Sequence, residues 1–302
     1  MAGAHRGRSQ TACSGKYCRL SAAQAIPKSM HGGCRCGGNA AQAQGSHQTM
    51  PIKTKKLINA PENIIPEFIE GLIGAYPDML CVEGTTSRAV VARHGPREGK
   101  VGIVIGGGSG HEPAFAGYVG QGQGLADAAA VGNVFASPSP EQILDAGRAA
   151  DGGTGVVFLY GNYTGDVLNF TMAAEELEAE GTLVRHIAVS DDVASAPLAR
   201  RGERRGVAGD FFVFKCAGAA ADLGEPLERV EELARLANDR CRSMGVALGA
   251  CSLPQTGTLN FELGAEDMEI GMGIHGEPGM RCERRNITGR ACSPGGSFCA
   301  DD

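Results

Sequence analysis

Hydrophobic positions along the chain fall into two alternating periods. Short apolar runs rich in β-branched residues, Val101-Gly-Ile-Val-Ile105, Gly155-Val-Val-Phe-Leu-Tyr160 and Leu183 to Val189, read as buried strands. Between them apolar residues return every three or four positions, as in Ile64, Ile65, Phe68, Ile69, Leu72 and Ile73 after Asn63. Residues 140 onward (Ile143, Leu144, Ala146), Val167 to Glu180, and Pro226 to Met244 show the same period. Ser139 is placed to cap the second of these helices, with Pro140 at its first position. Arg88 to Ala92, Gly209 to Lys215, Val246 to Ala250 and Met268 to Met272 read as further strands, and Arg200 to Arg205 as a charged loop. This alternation predicts an α/β fold, a largely parallel or mixed sheet flanked by helices, in a single main domain over residues 51–279.

Composition adds boundaries to that picture. The 302 residues, 42% hydrophobic and 21% charged, match an ordinary globular protein, and 46 glycines predict many tight strand-to-helix turns. No apolar run approaches the roughly 20 residues of a membrane helix. The formal charge of −6 divides into +6 over residues 1–50 and −12 over the rest. An acidic body without Trp argues against a nucleic-acid surface.

Residues 1–50 have the acid-poor composition of a transit peptide but no amphipathic apolar face. Their four cysteines, Cys13, Cys18, Cys34 and Cys36, lack the paired spacing of a zinc site. They read as a disordered basic leader ahead of a start at Met50. Past Gly279 no apolar period survives, and residues 280–302 read as a disordered tail. Body cysteines Cys81, Cys216, Cys241 and Cys251 sit among apolar residues as small core residues do, consistent with a reducing, cytoplasmic compartment.

Candidate chemistry gathers at strand ends. The strand ending at Ile105 runs into Gly106-Gly-Gly-Ser-Gly110-His111-Glu112-Pro113. The sequence lacks the Gly-Lys-Ser/Thr of a phosphate-binding loop and the third glycine of a dinucleotide fingerprint. Taken alone, the loop reads equally well as a bare turn with His111 as a capping or core residue. Asp166 follows the second strand and can cap the helix after it. His275 lies in Ile274-His-Gly-Glu-Pro-Gly279, a near copy of the first loop. Two histidines and a carboxylate at three sheet-edge turns form an acid-base and nucleophile set. No close-spaced ligand pair supports a metal site.

These motifs, in order with Gly120-Gln-Gly122, Ser137-Pro-Ser-Pro140, Asn162-Tyr-Thr-Gly-Asp166, Arg205-Gly-Val-Ala208 and Ala247-Leu-Gly-Ala-Cys251, resemble the substrate-binding domain of dihydroxyacetone kinases from about Lys55 to Gly279. The resemblance implies that His275 adds through a ring nitrogen to the ketone of dihydroxyacetone, giving a covalent hemiaminal. His111 and Asp166 would then exchange protons with the hydroxyl that receives phosphate, while amides of Gly107 and Gly108 hold substrate oxygens. It also implies a homodimer, no cofactor on this chain, and ATP with Mg on a separate helical domain or subunit, or a phosphocarrier-fed donor.

Two departures from the family pattern matter. Gly161 stands where many members have Lys, which is expected to enlarge the pocket and admit a four-carbon ketose such as erythrulose. The family's domain also continues beyond the His-Gly-Glu-Pro-Gly motif, whereas unrelated sequence follows here. The chain alone is therefore expected to bind substrate without turning it over, as an incomplete kinase, a keto-sugar-binding regulatory module, or a truncated product.

Overall fold

The structure, a computed structural model, describes residues 55–120 and 124–284. The basic leader with its four cysteines, and residues 285–302, lie outside the described residues. The elements run α1 (Ile64–Ala75), β1 (Leu80–Glu83), β2 (Ala89–Ala92), β3 (Gly102–Ser109), β4 (Ala128–Val134), α2 (Pro140–Ala150), β5 (Val156–Gly161), α3 (Thr164–Ala179) and β6 (Val184–Val189). They continue with α4 (Gly209–Asp222), α5 (Leu227–Arg240), β7 (Val246–Ala247), β8 (Asp267–Ile270) and β9 (Arg281–Arg284).

Six strands form one mixed sheet in the order β1-β2-β4-β3-β5-β6. The pairs β4/β3, β3/β5 and β5/β6 are parallel, and β1 and β2 join antiparallel at one edge. Alternating side chains divide the core in two. Ile103, Ile105, Val157 and Leu159 face Ile65, Val213, Phe214 and Val230 of α1, α4 and α5. Val104, Val156, Phe158 and Tyr160 face Ile143, Leu144, Phe170 and Leu177 of α2 and α3. Each fully buried aliphatic side chain of this kind contributes roughly 1.5–3 kcal/mol.

From β3 the chain moves to β4 on one side, and from β5 it moves to β6 on the other. Connections leaving adjacent parallel strands in opposite directions open a crevice at their carboxyl ends. The loops carrying His111 and Asp166 leave from those two strands.

Several elements differ from the sequence expectation. Gly209 to Lys215, read as a strand, opens helix α4. The reason lies downstream: Val213, Phe214, Ala217, Ala220 and Ala221 form one buried helical stripe, and its alanine half carries little hydrophobic signal. The Arg200 loop winds as a short 3-10 turn, Leu198–Glu203. β1 and the alanine-rich β4 are strands that no clear alternation announced. β7 and β8 form a separate antiparallel sheet with β9, instead of extending the main sheet. Arg281–Arg284, past the expected end of order at Gly279, pairs with β8 across its whole length because two unpaired backbone edges satisfy each other there.

Of the body cysteines only Cys81 is buried; Cys216 and Cys251 are exposed and Cys241 is half-buried, and none of the four is in a disulfide. No described helix is long and apolar enough to cross a membrane.

Candidate functional site

His111 leaves the end of β3 through Gly110, whose amide donates to the Glu112 carboxylate at 3.1 Å. Its ring stacks on Phe135 at 6.1 Å between centroids and meets the edge of Phe115 at 5.8 Å. Burial, reinforced by the positive field of His275, lowers the pKa of His111, so its neutral form prevails. Phe135 reaches this position with φ of 54°, an uncommon backbone state for an aromatic residue and one concentrated at functional sites.

His275 lies on the loop after β8, and its ring centroid is 5.7 Å from that of His111. Glu277 organises this loop. One carboxylate oxygen accepts from the His275 backbone amide at 3.0 Å, and the other sits 3.0 Å from Nδ1 of the same residue. Burial opposes the charge on Glu277, but the hydrogen bond and charge of His275, with two backbone amides, outweigh it and bring the carboxyl down to about 2. An ionised carboxylate only accepts hydrogen bonds, so Nδ1 is the donor to Glu277, and the tautomer that keeps this bond without a charge on the ring leaves its lone pair on Nε2. Gly273 makes the loop possible, because a Cβ there would collide with Glu277 and Arg205.

Asp166 sits in the first turn of α3, not at its cap. The helix begins at Thr164 after Tyr163 in extended backbone, which turns the carboxyl inward. It is buried, with Oδ1 lacking a hydrogen-bond partner. Burial raises its pKa to about 6, while a hydrogen bond from Ser137 and the charge of His275 pull partly back.

Arg205 joins the two sheets at this site. Its guanidinium donates to Asp192, just past β6, at 2.9 Å and to the Gly271 carbonyl, just past β8, at 2.8 Å. His111 and Asp166 each lie within the electrostatic reach of His275.

The glycines play different parts. Gly107 and Gly108 are buried within β3, where the register to β4 slips between Gly107 and Ser109. A Cβ on Gly107 would collide with Phe115, and one on Gly108 would lie 2.8 Å from the Ala136 amide nitrogen. Gly161 ends β5, but the space beside it is not open: a Cβ there would lie 3.1 Å from the Tyr163 ring. Tyr163 in turn meets His275 edge-on at 4.9 Å. A cavity of about 250 Å³ borders the other flank of the His275 loop, against Cys251, Asn260 and Phe261, and neither His111 nor Asp166 lines it.

Phe135, Tyr163 and Glu277 complete the site yet carry no signal of their own in the sequence, except that Tyr163 and Glu277 fall inside the two motifs. Among the described residues no group of three His, Cys, Asp or Glu side chains is disposed to hold a metal ion.

A doubly flanked sheet with an oriented imidazole, a facing histidine and a buried carboxyl at its crevice defines a small-molecule-binding α/β domain. The chain belongs to the Dak1 domain family, whose model matches residues 70–290. It is 46% identical over 231 residues to the dihydroxyacetone-binding subunit DhaK of PTS-dependent dihydroxyacetone kinase 1 from Listeria innocua, covering 76% of this chain and 69% of that one. It is 50% identical over 225 residues to the L-erythrulose kinase of Pectobacterium atrosepticum, covering 74% of this chain and 37% of the relative. The crystal structure of the dihydroxyacetone kinase from C. freundii in complex with AMP-PNP and Mg2+ superposes with a TM-score of 0.69 at 37% identity, over 77% of this chain and 42% of that one. The chain thus spans about two thirds of the separate binding subunit and well under half of the longer kinases.

Proposed function

We propose that this chain is the substrate-binding part of a keto-sugar kinase, holding dihydroxyacetone covalently on His275 while a separate module delivers the phosphoryl group. The observation that carries this reading is the His275–Glu277 pair, in which the carboxylate holds Nδ1 at 3.0 Å and so reserves Nε2 for bonding, with the His111 ring 5.7 Å away between centroids. In the binding step the Nε2 lone pair bonds to the carbonyl carbon, and the carbonyl π pair moves to oxygen, which takes up a proton. The Glu277 carboxylate balances the positive charge that develops on the ring. Release of the Nδ1 proton to solvent leaves a neutral hemiaminal. A polyol such as glycerol has no carbonyl and cannot form the bond.

In the transfer step Asp166 removes the proton of the terminal hydroxyl as that oxygen bonds phosphorus and the bond from phosphorus to the donor breaks. A carboxyl near 6 is mostly ionised at neutral pH yet basic enough to act. His111, kept neutral, shares the hydroxyl. Amides of Gly107 and Gly108 hold substrate oxygens. The nucleotide and Mg are assigned to the partner module, in keeping with the AMP-PNP and Mg2+ held by the C. freundii kinase, of which this chain matches only 42%.

Erythrulose is the second reading. It is favoured by the 50% identity to an erythrulose kinase, whereas the room expected beside Gly161 is taken up by the Tyr163 ring. Intact-mass measurement after incubation with either ketose tests both. One substrate mass is expected on the chain and none on His275→Ala. An unmodified mass on the parent protein with both ketoses sinks the assignment.

A further inference from the structure

Buried polar atoms without hydrogen-bond partners are uncommon in folded proteins. Among the described residues three of the seven such side-chain atoms, the Tyr163 hydroxyl, Asp166 Oδ1 and Asp210 Oδ1, belong to the chain at the start of α3 and α4, beside the crevice. Asp166 has its place in the transfer step. The Tyr163 hydroxyl has none, although its ring packs against the site. One edge meets His275 at 4.9 Å and an interplanar angle of 77°, and the ring lies against Gly161. With its ring between His275 and the end of β5, the hydroxyl is buried from solvent. A hydroxyl left unsatisfied on a ring that touches the His275 ring is what a polar ligand bound at His275 would complete.

We propose that Tyr163 is a specificity-determining residue, whose hydroxyl hydrogen-bonds the second hydroxyl of the ketose on His275, the one that His111 and Asp166 do not handle. Burial, with the negative charges of Glu277 and Asp210 nearby, raises the phenol pKa, so it stays protonated and serves as a donor. This inference rests on the keto-sugar reading of the site and adds to it a preference for ketones hydroxylated on both sides of the carbonyl over those hydroxylated on one.

The test titrates adduct formation by native mass spectrometry on the parent chain and on Tyr163→Phe, using dihydroxyacetone and hydroxyacetone, with a thermal melt of each protein. Tyr163→Phe is expected to need about tenfold more dihydroxyacetone for half-labelling, the loss of one hydrogen bond to a group that is otherwise unsatisfied. Its hydroxyacetone curve should not move, and its melting temperature should equal or exceed that of the parent, because a buried orphan hydroxyl has been removed. An unshifted dihydroxyacetone curve overturns the inference. So does a parallel weakening for both ketones with a lower melting temperature, which marks a structural role. Absence of any adduct on the parent chain with both ketones instead overturns the underlying reading of the site.

Discussion

Asp166 is ionisable, buried and short of one hydrogen bond, so its charge costs the fold stability. Its folded pKa of about 6 lies above the ordinary value of 3.8. The neutral form is therefore favoured by folding, and that favour is complete below about pH 4 and lost as pH rises through about 6. Asp166→Asn should melt above the parent at pH 7, by about 2–3 kcal/mol of added stability. The two should converge near pH 4, as melts at both pH values would show. A variant less stable than the parent at pH 7 would contradict the buried-charge account. The Glu277 carboxyl has the opposite sign: folding favours its charged form, and that support disappears as pH falls toward about 2. Two carboxyl groups in one cleft are thus pushed apart, one toward proton transfer and one toward permanent charge behind an imidazole.

At the scale of elements, helix starts are secured in two ways. Helix α2 is capped from its own sequence: the Gln142 amide donates to the Ser139 hydroxyl and the Gln142 side chain accepts from the Ser139 amide. Helix α4 is capped from a distance. Asp191, past β6 and fully buried, accepts from the amides of Val207 and Gly209 at 2.9 and 2.8 Å. Asp191→Ala leaves one buried and one partly buried donor unpaired at that helix start and should cost about 2–4 kcal/mol in urea denaturation. A loss no greater than the ~1 kcal/mol expected of an ordinary cap deletion would mean that water replaces the carboxylate. The long-range cap also explains the misread strand. Phe211 to Phe214 look like a strand when taken alone, while the helix, from its start at Gly209, stands on an acceptor eighteen residues earlier and on small residues eight to twelve positions later.

At the scale of the whole molecule, the site exists only where two sheets meet. Arg205 bonds the main-sheet loop at Asp192 and the small-sheet loop at Gly271, with its side chain largely buried. Arg205→Gln should keep the far-ultraviolet circular dichroism of the parent, since neither sheet depends on it. It should also need at least tenfold more ketose for half-labelling of His275, because a small displacement of the nucleophile from its partners is costly. Labelling equal to the parent would show that other contacts hold the sheets in register.

The α/β class was legible in the chain itself, and so were the candidates His111, Asp166 and His275, which the structure brings within electrostatic reach of one another. Buried parallel strands show as unbroken apolar runs, and glycine-framed histidines and a carboxylate at strand ends stand out against a helical background. Strands β1 and β4, the second sheet and β9 were not legible, because short or alanine-rich segments become strands only when a neighbouring edge supplies their hydrogen bonds. Likewise Glu277 as the orienting carboxylate, Tyr163 beside Gly161 and the Arg205 bridge are facts of distance. Local periodicity records which face of an element is buried, and so it determined class, core and candidate residues. Only the tertiary structure decided which loops converge, because convergence depends on contacts between residues far apart in sequence, which no local pattern encodes.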